Sequence, residues 1–224
     1  MKHIQTMAMA TLLLVASQLA QANLITNGGF ETSDFTGWDY SGNLAVISDA
    51  QFRNQAGAIG LFPNGAFAVD FSNGNNPATG YLSQNLSLIP GQTYELSFDY
   101  GRLQPGSGGP QSLWVEVTNL ADDQQLLNTV ITDSSAQIDL AILLDQYTYR
   151  FFAADSSVKL SFSDISNGTL STDGVFDNVT LSAVPLPPTA WFLLSGLGVF
   201  LFRYRKQACY SEASANDISP HPAY

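Results

Sequence analysis

The sequence predicts an all-β sandwich held between two non-globular ends. Three observations carry this expectation. Apolar and polar residues alternate with period two over several short runs, clusters of Gly, Pro and Asn separate the runs, and no stretch of the central region shows a helical period. The clearest runs are four. Tyr94, Leu96, Phe98 and Tyr100 alternate with Glu95, Ser97 and Asp99; Leu113, Val115 and Val117 alternate with Trp114, Glu116 and Thr118. Tyr147, Tyr149 and Phe151 alternate with Thr148 and Arg150; Val158, Leu160 and Phe162 alternate with Lys159, Ser161 and Ser163. Each reads as a strand with one buried face. Weaker strands are expected at 44–48, 57–61, 80–86 and 126–131, and 138–144 reads as a strand or one helical turn. Turn signals fall between them, at Asn73-Gly74, Pro90-Gly91, the Gly/Pro run from Pro105 to Pro110, and Asn167-Gly168. Many short strands with frequent turns form a sandwich.

The ends have different grammar. Lys2 and His3 precede an apolar run, Met7 to Ala16, and then Ala20-Gln21-Ala22. This is the pattern of a signal peptide over residues 1–22, so the exported region is expected to begin at Asn23. At the other end stand Val184-Pro185-Leu186-Pro187-Pro188 and Trp191, then apolar residues to Phe202, then Arg203, Arg205 and Lys206. Residues 186–202 hold no charged side chain. As a helix they would span roughly 25 Å, a little short of a hydrocarbon core of about 30 Å. Trp191 suits one interface and the basic cluster suits the cytoplasmic side. A transmembrane helix is therefore expected there, with a polar cytoplasmic tail at 207–224. Residues 23–183 are expected outside the inner membrane as one domain.

This tail, with its Val-Pro-Leu-Pro start, Trp, Ser-Gly-Leu and basic end, resembles the PEP-CTERM sorting signal of Gram-negative bacteria. The resemblance covers 184–206. It implies processing by an exosortase, transient anchoring in the inner membrane, and export to the cell surface or matrix together with exopolysaccharide. Leu186 stands where the family usually has Glu, and the tail beyond Lys206 is longer than is usual.

Charge and composition restrict the chemistry of the exported region. It carries four basic residues, Arg53, Arg102, Arg150 and Lys159, against seventeen acidic ones, a formal charge of −13. Such a surface repels nucleic acid and anionic lipid and tolerates neutral glycans and divalent cations. The only Cys is Cys209 and the only His residues are His3 and His221, all outside this region. An internal disulfide, a Cys/His zinc site and nucleophile systems that need His are thus excluded from it. Carboxylate chemistry or plain binding remains.

A second resemblance spans nearly all of the exported region. The opening Asn23-Leu24-Ile25-Thr26-Asn27-Gly28-Gly29-Phe30-Glu31, with Phe35-Thr36-Gly37-Trp38, is similar to the start of galactose-binding-like jelly rolls, including carbohydrate-binding modules. Tyr81 to Gln84, Pro90 to Phe98, Lys159 to Phe162 and the closing Phe176-Asp177-Asn178-Val179-Thr180-Leu181 follow in the same order. The resemblance implies a jelly-roll β-sandwich. It also implies a structural Ca²⁺ held by Glu31 and Asp177, with carbonyls near 27–29. Alternation places Asp177 in phase with Val179 and Leu181, pointing inward, where a carboxylate needs a partner or a metal. The alternative is that Glu31 caps a turn and Asp177 accepts backbone N–H groups.

Two residues are candidates for ligand contact. Trp114 lies out of phase with Leu113, Val115 and Val117, so its ring is either an outward sugar platform or a residue covered by loops. Arg102, at the mouth of the Gly/Pro loop, either bonds a hydroxyl or uronate or neutralises nearby acids. Trp38 reads as a core plug in preference to a sugar platform. Asp122, Asp123, Asp133, Asp139 and Asp145 read as a solvated acidic surface, although a paired-carboxylate glycan hydrolase is a further alternative. The expectation for function is a non-enzymatic surface or matrix protein that binds carbohydrate; the alternative is a structural or adhesive protein with protein partners.

Overall fold

The computed structural model describes residues 22–51, 65–72, 77–103, 109–134, 143–167 and 172–185. All described strands belong to one unit, Met1–Val184. The expected signal sequence up to 21, the strand expected at 57–61 and the whole of 186–224 lie outside the described residues. So do Asp139 and the sorting-signal residues from Leu186 onward. Among the described residues, no helix is long and apolar enough to cross a membrane.

Among the described residues, ten strands form two antiparallel sheets. They are β1 (Asp39–Ser41), β2 (Leu44–Ser48), β3 (Phe67–Phe71), β4 (Tyr81–Ser87), β5 (Thr93–Leu103), β6 (Gln111–Asn119), β7 (Gln125–Asp133), β8 (Leu143–Phe152), β9 (Ser157–Asp164) and β10 (Asp173–Ala183). Sheet A has the order β1-β4-β9-β6-β7 and sheet B the order β2-β3-β10-β5-β8. The chain crosses repeatedly between sheets, so strands distant in sequence pair, such as β10 with both β3 and β5.

The inner faces meet in one apolar core. Sheet A contributes Leu82, Leu113, Val115, Val117, Leu160 and Phe162; sheet B contributes Val69, Phe71, Leu96, Phe98, Phe176 and Leu181. At its centre Phe162 and Phe176 lie with ring centroids 4.5 Å apart, and Phe98 sits 5.3 Å from Phe162. The opening segment closes one end. Phe30 is fully buried and stacks on Trp38 at 5.8 Å. Trp38 is 6% exposed, and its indole N–H donates to the Asn27 carbonyl at 3.1 Å. It is a core plug, as the sequence predicts.

The opening segment also lengthens sheet B. Leu24 N donates to Leu181 O, and Val179 N donates to Gly28 O, both at 2.8 Å. A Cβ at Gly28 would collide with the Val179 carbonyl, so only glycine permits this approach. Asn23 clamps the same strand: its Oδ1 accepts from Leu181 N and its Nδ2 donates to Val179 O. At the far end Val184 N donates to Thr93 O at 2.7 Å, so the ladder runs up to Pro185, which has no N–H to continue it.

The phase expected for β10 is corrected. Its pairing with β5 shifts register between Asp177 and Thr180, and Asn178 takes a φ of +56°. This is a β-bulge, and one extra residue turns the side chains after it to the other face. Phe176 points into the core, and Asp177 stands opposite Asp99 on the outer face of sheet B. Asp177 is therefore out of phase with Val179, not in phase with it.

Candidate functional site

Two polar assemblies lie on opposite sides of the sandwich. The first is the outer face of sheet A. The register aligns Ser41, Tyr81, Ser163, Trp114 and Val130 in one row across the five strands. Their neighbours Leu82, Phe162, Leu113, Val115 and Ile131 are core residues, so the row faces outward. Trp114 is half-buried on this face. Its Nε1 donates to Asn128 Oδ1 at 2.9 Å, Asn128 Nδ2 donates to Gln125 Oε1 at 2.8 Å, and Gln125 Nε2 donates to Glu116 Oε1 at 2.9 Å. This chain of amides ties the indole edge to β7 and orients the ring. Trp114 is thus outward, on the phase that the sequence predicts.

The second assembly is acidic and lies on and beside sheet B. Asp177 is fully buried. Its Oδ1 accepts from the Asn178 N–H at 2.6 Å, while its Oδ2 has no hydrogen-bond partner among the described residues. Burial, with the charges of Asp99 and Glu31 adding to it against that one N–H, pushes its carboxyl up to about 8. Asn178 Nδ2 donates to Asp99 Oδ2 at 3.2 Å. Glu31 Oε1 accepts from Ala66 N at 2.9 Å and Phe67 N at 3.2 Å. Gly65, with φ +91°, leaves room for that carboxylate, which a Cβ would strike. A Cβ on Gly29 would lie 3.8 Å from Glu31 Cγ and 3.9 Å from Asp177 Oδ1, so the two predicted acids flank the opening loop together. The Asn27 carbonyl already accepts from Phe30 N and the Trp38 indole, and the Gly28 carbonyl accepts from Val179 N. Two of the three expected backbone ligands are thus already engaged.

Arg102 is not beside Trp114. It lies on β5, in the other sheet, and is 6% exposed. At its end of the sandwich Asp70, Asp133, Asp164 and Asp173 are also buried, which corrects one expectation. Asp133, expected on a solvated surface, ends β7 and is 7% exposed, whereas Asp122, Asp123 and Asp145 are exposed. Nearby, Asp164 accepts from Ser72 Oγ and from Ser166 Oγ, both at 2.6 Å, and from Ser166 N at 3.0 Å. Asp70 is 2% exposed, and burial, then the charges of Asp173 and Asp164, raise its carboxyl well above the usual range. Sequence reasoning missed this polar end. Asp70 lies between Val69 and Phe71 near the end of its strand, and that is the one signal that could have marked it as buried. Among the described residues, no group of three or more His, Cys, Asp or Glu side chains has a metal-holding arrangement.

Residues 18–182 match the family described as "Protein of unknown function (DUF642)". The chain belongs to this family. No curated protein matches it. Several solved structures are similar to this DUF642 chain. TmCBM61, solved in complex with β-1,4-galactotriose, is 19% identical with a TM-score of 0.52, covering 73% of this chain and 99% of its own. Arabinose-bound MgGH51 α-L-arabinofuranosidase is 15% identical with a TM-score of 0.50, covering 75% of this chain and 27% of its own. The CBM22-1 xylan-binding domain of Paenibacillus barcinonensis Xyn10C is 16% identical with a TM-score of 0.47, covering 75% and 98%. Likeness at these identities is likeness of fold: this DUF642 chain is an all-β sandwich of two antiparallel sheets, like that of carbohydrate-binding modules.

Proposed function

We propose that this chain is an exported, non-catalytic carbohydrate-binding protein of the cell surface or extracellular matrix. The observation that carries this reading is Trp114, an outward indole on a strand, its edge held by Asn128. A ring fixed in this way offers an apolar face to the C–H face of a sugar at little cost in conformational entropy. The surrounding hydroxyl, amide and carboxylate groups suit sugar hydroxyls. The fold shared with TmCBM61, whose structure contains β-1,4-galactotriose, supports the same reading.

Export and sorting complete the proposal. A signal peptide at 1–22 would deliver the domain, and the PEP-CTERM-like segment at 184–206 would hold it in the inner membrane until an exosortase releases it toward exopolysaccharide. The ladder reaches Val184, and Pro185 has no N–H with which to continue it, which supports a boundary there. Intact-mass analysis of the mature protein is expected to show loss of both ends. Recovery of the full tail with Cys209 would leave a plain membrane anchor.

We also propose a structural Ca²⁺ on Glu31 and Asp177. The orphaned, buried Oδ2 of Asp177 fits a hard cation, and the crowding of Asp177, Asp99 and Glu31 favours positive charge between them. The ion would hold the opening loop against β10 and keep Asp177 ionised. It would have no part in chemistry.

The test is retention of the full-length protein on immobilised neutral polysaccharides, with elution by the free sugar. Retention that free sugar abolishes is the expected outcome. Capture of protein partners with no retention on any polysaccharide would replace carbohydrate binding by a structural or adhesive role.

A further inference from the structure

Resting on that reading, the geometry points to the kind of glycan and the direction in which it lies. We propose that the row Tyr81, Ser163, Trp114 and Val130 is a track for one extended, uncharged β-1,4-linked chain running across the strands of sheet A. Tyr81 on β4 and Trp114 on β6 both pair with Ser163 on β9 between them. Two strand spacings, roughly 9.5 Å, therefore separate their backbones. That is close to the length of a disaccharide unit in an extended β-1,4-linked chain, in which alternate sugars present the same face. The two rings thus fall where alternate sugars repeat. Ser163, the smallest polar side chain that could stand between them, leaves space for the intervening sugar. Val130, 53% exposed, continues the apolar strip beyond Trp114.

The flanks define the chemistry. On one side the adjacent row is Asp39, Ser83, Ser161, Glu116 and Asn128. On the other, Ser112 and Thr132 share a hydroxyl–hydroxyl bond of 2.9 Å. Two carboxylates therefore border the track, and neither flanking row contributes a basic side chain among the described residues. Lys159 stands one row further away, opposite Asn85 and Thr118. A uronic acid chain would meet Asp39 and Glu116 as like charges, whereas hydroxyls of a neutral chain find acceptors in them.

Titration calorimetry on the purified full-length protein tests this, with neutral β-1,4-gluco- and β-1,4-manno-oligosaccharides from disaccharide to hexasaccharide and with β-1,4-linked oligomannuronates as the charged series. Affinity is expected to rise from disaccharide to tetrasaccharide. Trp114→Ala is expected to weaken tetrasaccharide binding by at least roughly tenfold, as for a central aromatic contact. Tyr81→Ala should weaken the tetrasaccharide and spare the disaccharide, with at most a small shift in the melting curve of each variant. Introducing Glu116→Gln should raise affinity for the β-1,4-linked oligomannuronates. Sensitivity to Trp114→Ala with no effect of Tyr81→Ala and no gain with length would overturn the track and leave carbohydrate binding intact. Binding confined to charged or to other neutral glycans would also overturn it. If the protein is retained on no glycan at all, the parent reading falls with it.

Discussion

On the outer face of sheet A, polar groups are paired and wet: Trp114, Asn128, Gln125 and Glu116 hand hydrogen bonds along the surface. On the outer face of sheet B, where the opening loop covers it, Asp177 is fully buried and keeps one oxygen unbonded within the described residues. Both faces cover the same apolar core, yet they differ in what a polar residue costs. An exposed amide chain contributes little to stability and much to the shape a ligand meets. A buried carboxylate without a full set of donors destabilises the fold until a proton or a cation arrives. A change on the first face thus puts little folding free energy at stake, whereas Asp177 ties folding to its own ionisation.

The core between the two faces sets the scale. Trp38→Ala is expected to cost about 3–5 kcal/mol, since it empties a buried site stacked on Phe30 and frees the Asn27 carbonyl. Denaturant unfolding measures it, and a loss below about 1 kcal/mol would show that the plug is not part of the core.

The next effect belongs to sheet B. With chelator present, stability should fall as pH rises from about 4 to about 8. The carboxyl of Asp177 is raised from 3.8 to about 8 in the folded state, so the fold holds its proton where the unfolded chain has lost it. The contribution is complete below the unfolded value and is lost as pH passes the folded one. Asp70, raised by burial, acts with the same sign. The size is on the order of a few kcal/mol. Asp177→Asn should flatten the profile measured by thermal melts, and an unflattened profile would assign the effect to Asp70 and general charge repulsion.

Calcium sharpens the same contrast. Millimolar Ca²⁺ at pH 7 should raise Tm, because an ion that binds only the native state stabilises it. Asp177→Ala should remove the rise, and so should Glu31→Gln in large part. Identical melting curves with Ca²⁺ and with chelator would leave Asp177 as a protonated strand residue.

The smallest stability effect is expected on sheet A. Trp114→Ala should change unfolding free energy by about 1 kcal/mol or less while removing retention on polysaccharide. If it unfolds the domain as Trp38→Ala does, the two faces do not differ as described.

How much of this was legible depended on periodicity. β5, β6, β8 and β9 follow from alternation, and β6 showed Trp114 outward, because each has one wet and one buried face. β3 was not foreseen. Its residues from Ala68 to Phe71 are buried on both faces, so alternation vanishes. β1 was missed for the opposite reason, being three residues long and wholly exposed. The phase error at Asp177 arose from the bulge at Asn178. Asn tolerates the left-handed region better than most residues, which was the one local hint available.

The sequence by itself determined an all-β domain of high negative charge, free of Cys and His, with Trp114 out of phase with the apolar residues of its strand. These are consequences of composition and of the two-residue period, which act along the chain. Only the tertiary structure decided that Tyr81, Ser163 and Trp114 form one row, that Glu31 and Asp177 flank the same loop, and that Asp70, Asp133 and Asp164 are buried. Strand order and bulges, which link residues tens of positions apart, set those neighbours, and no local pattern encodes them.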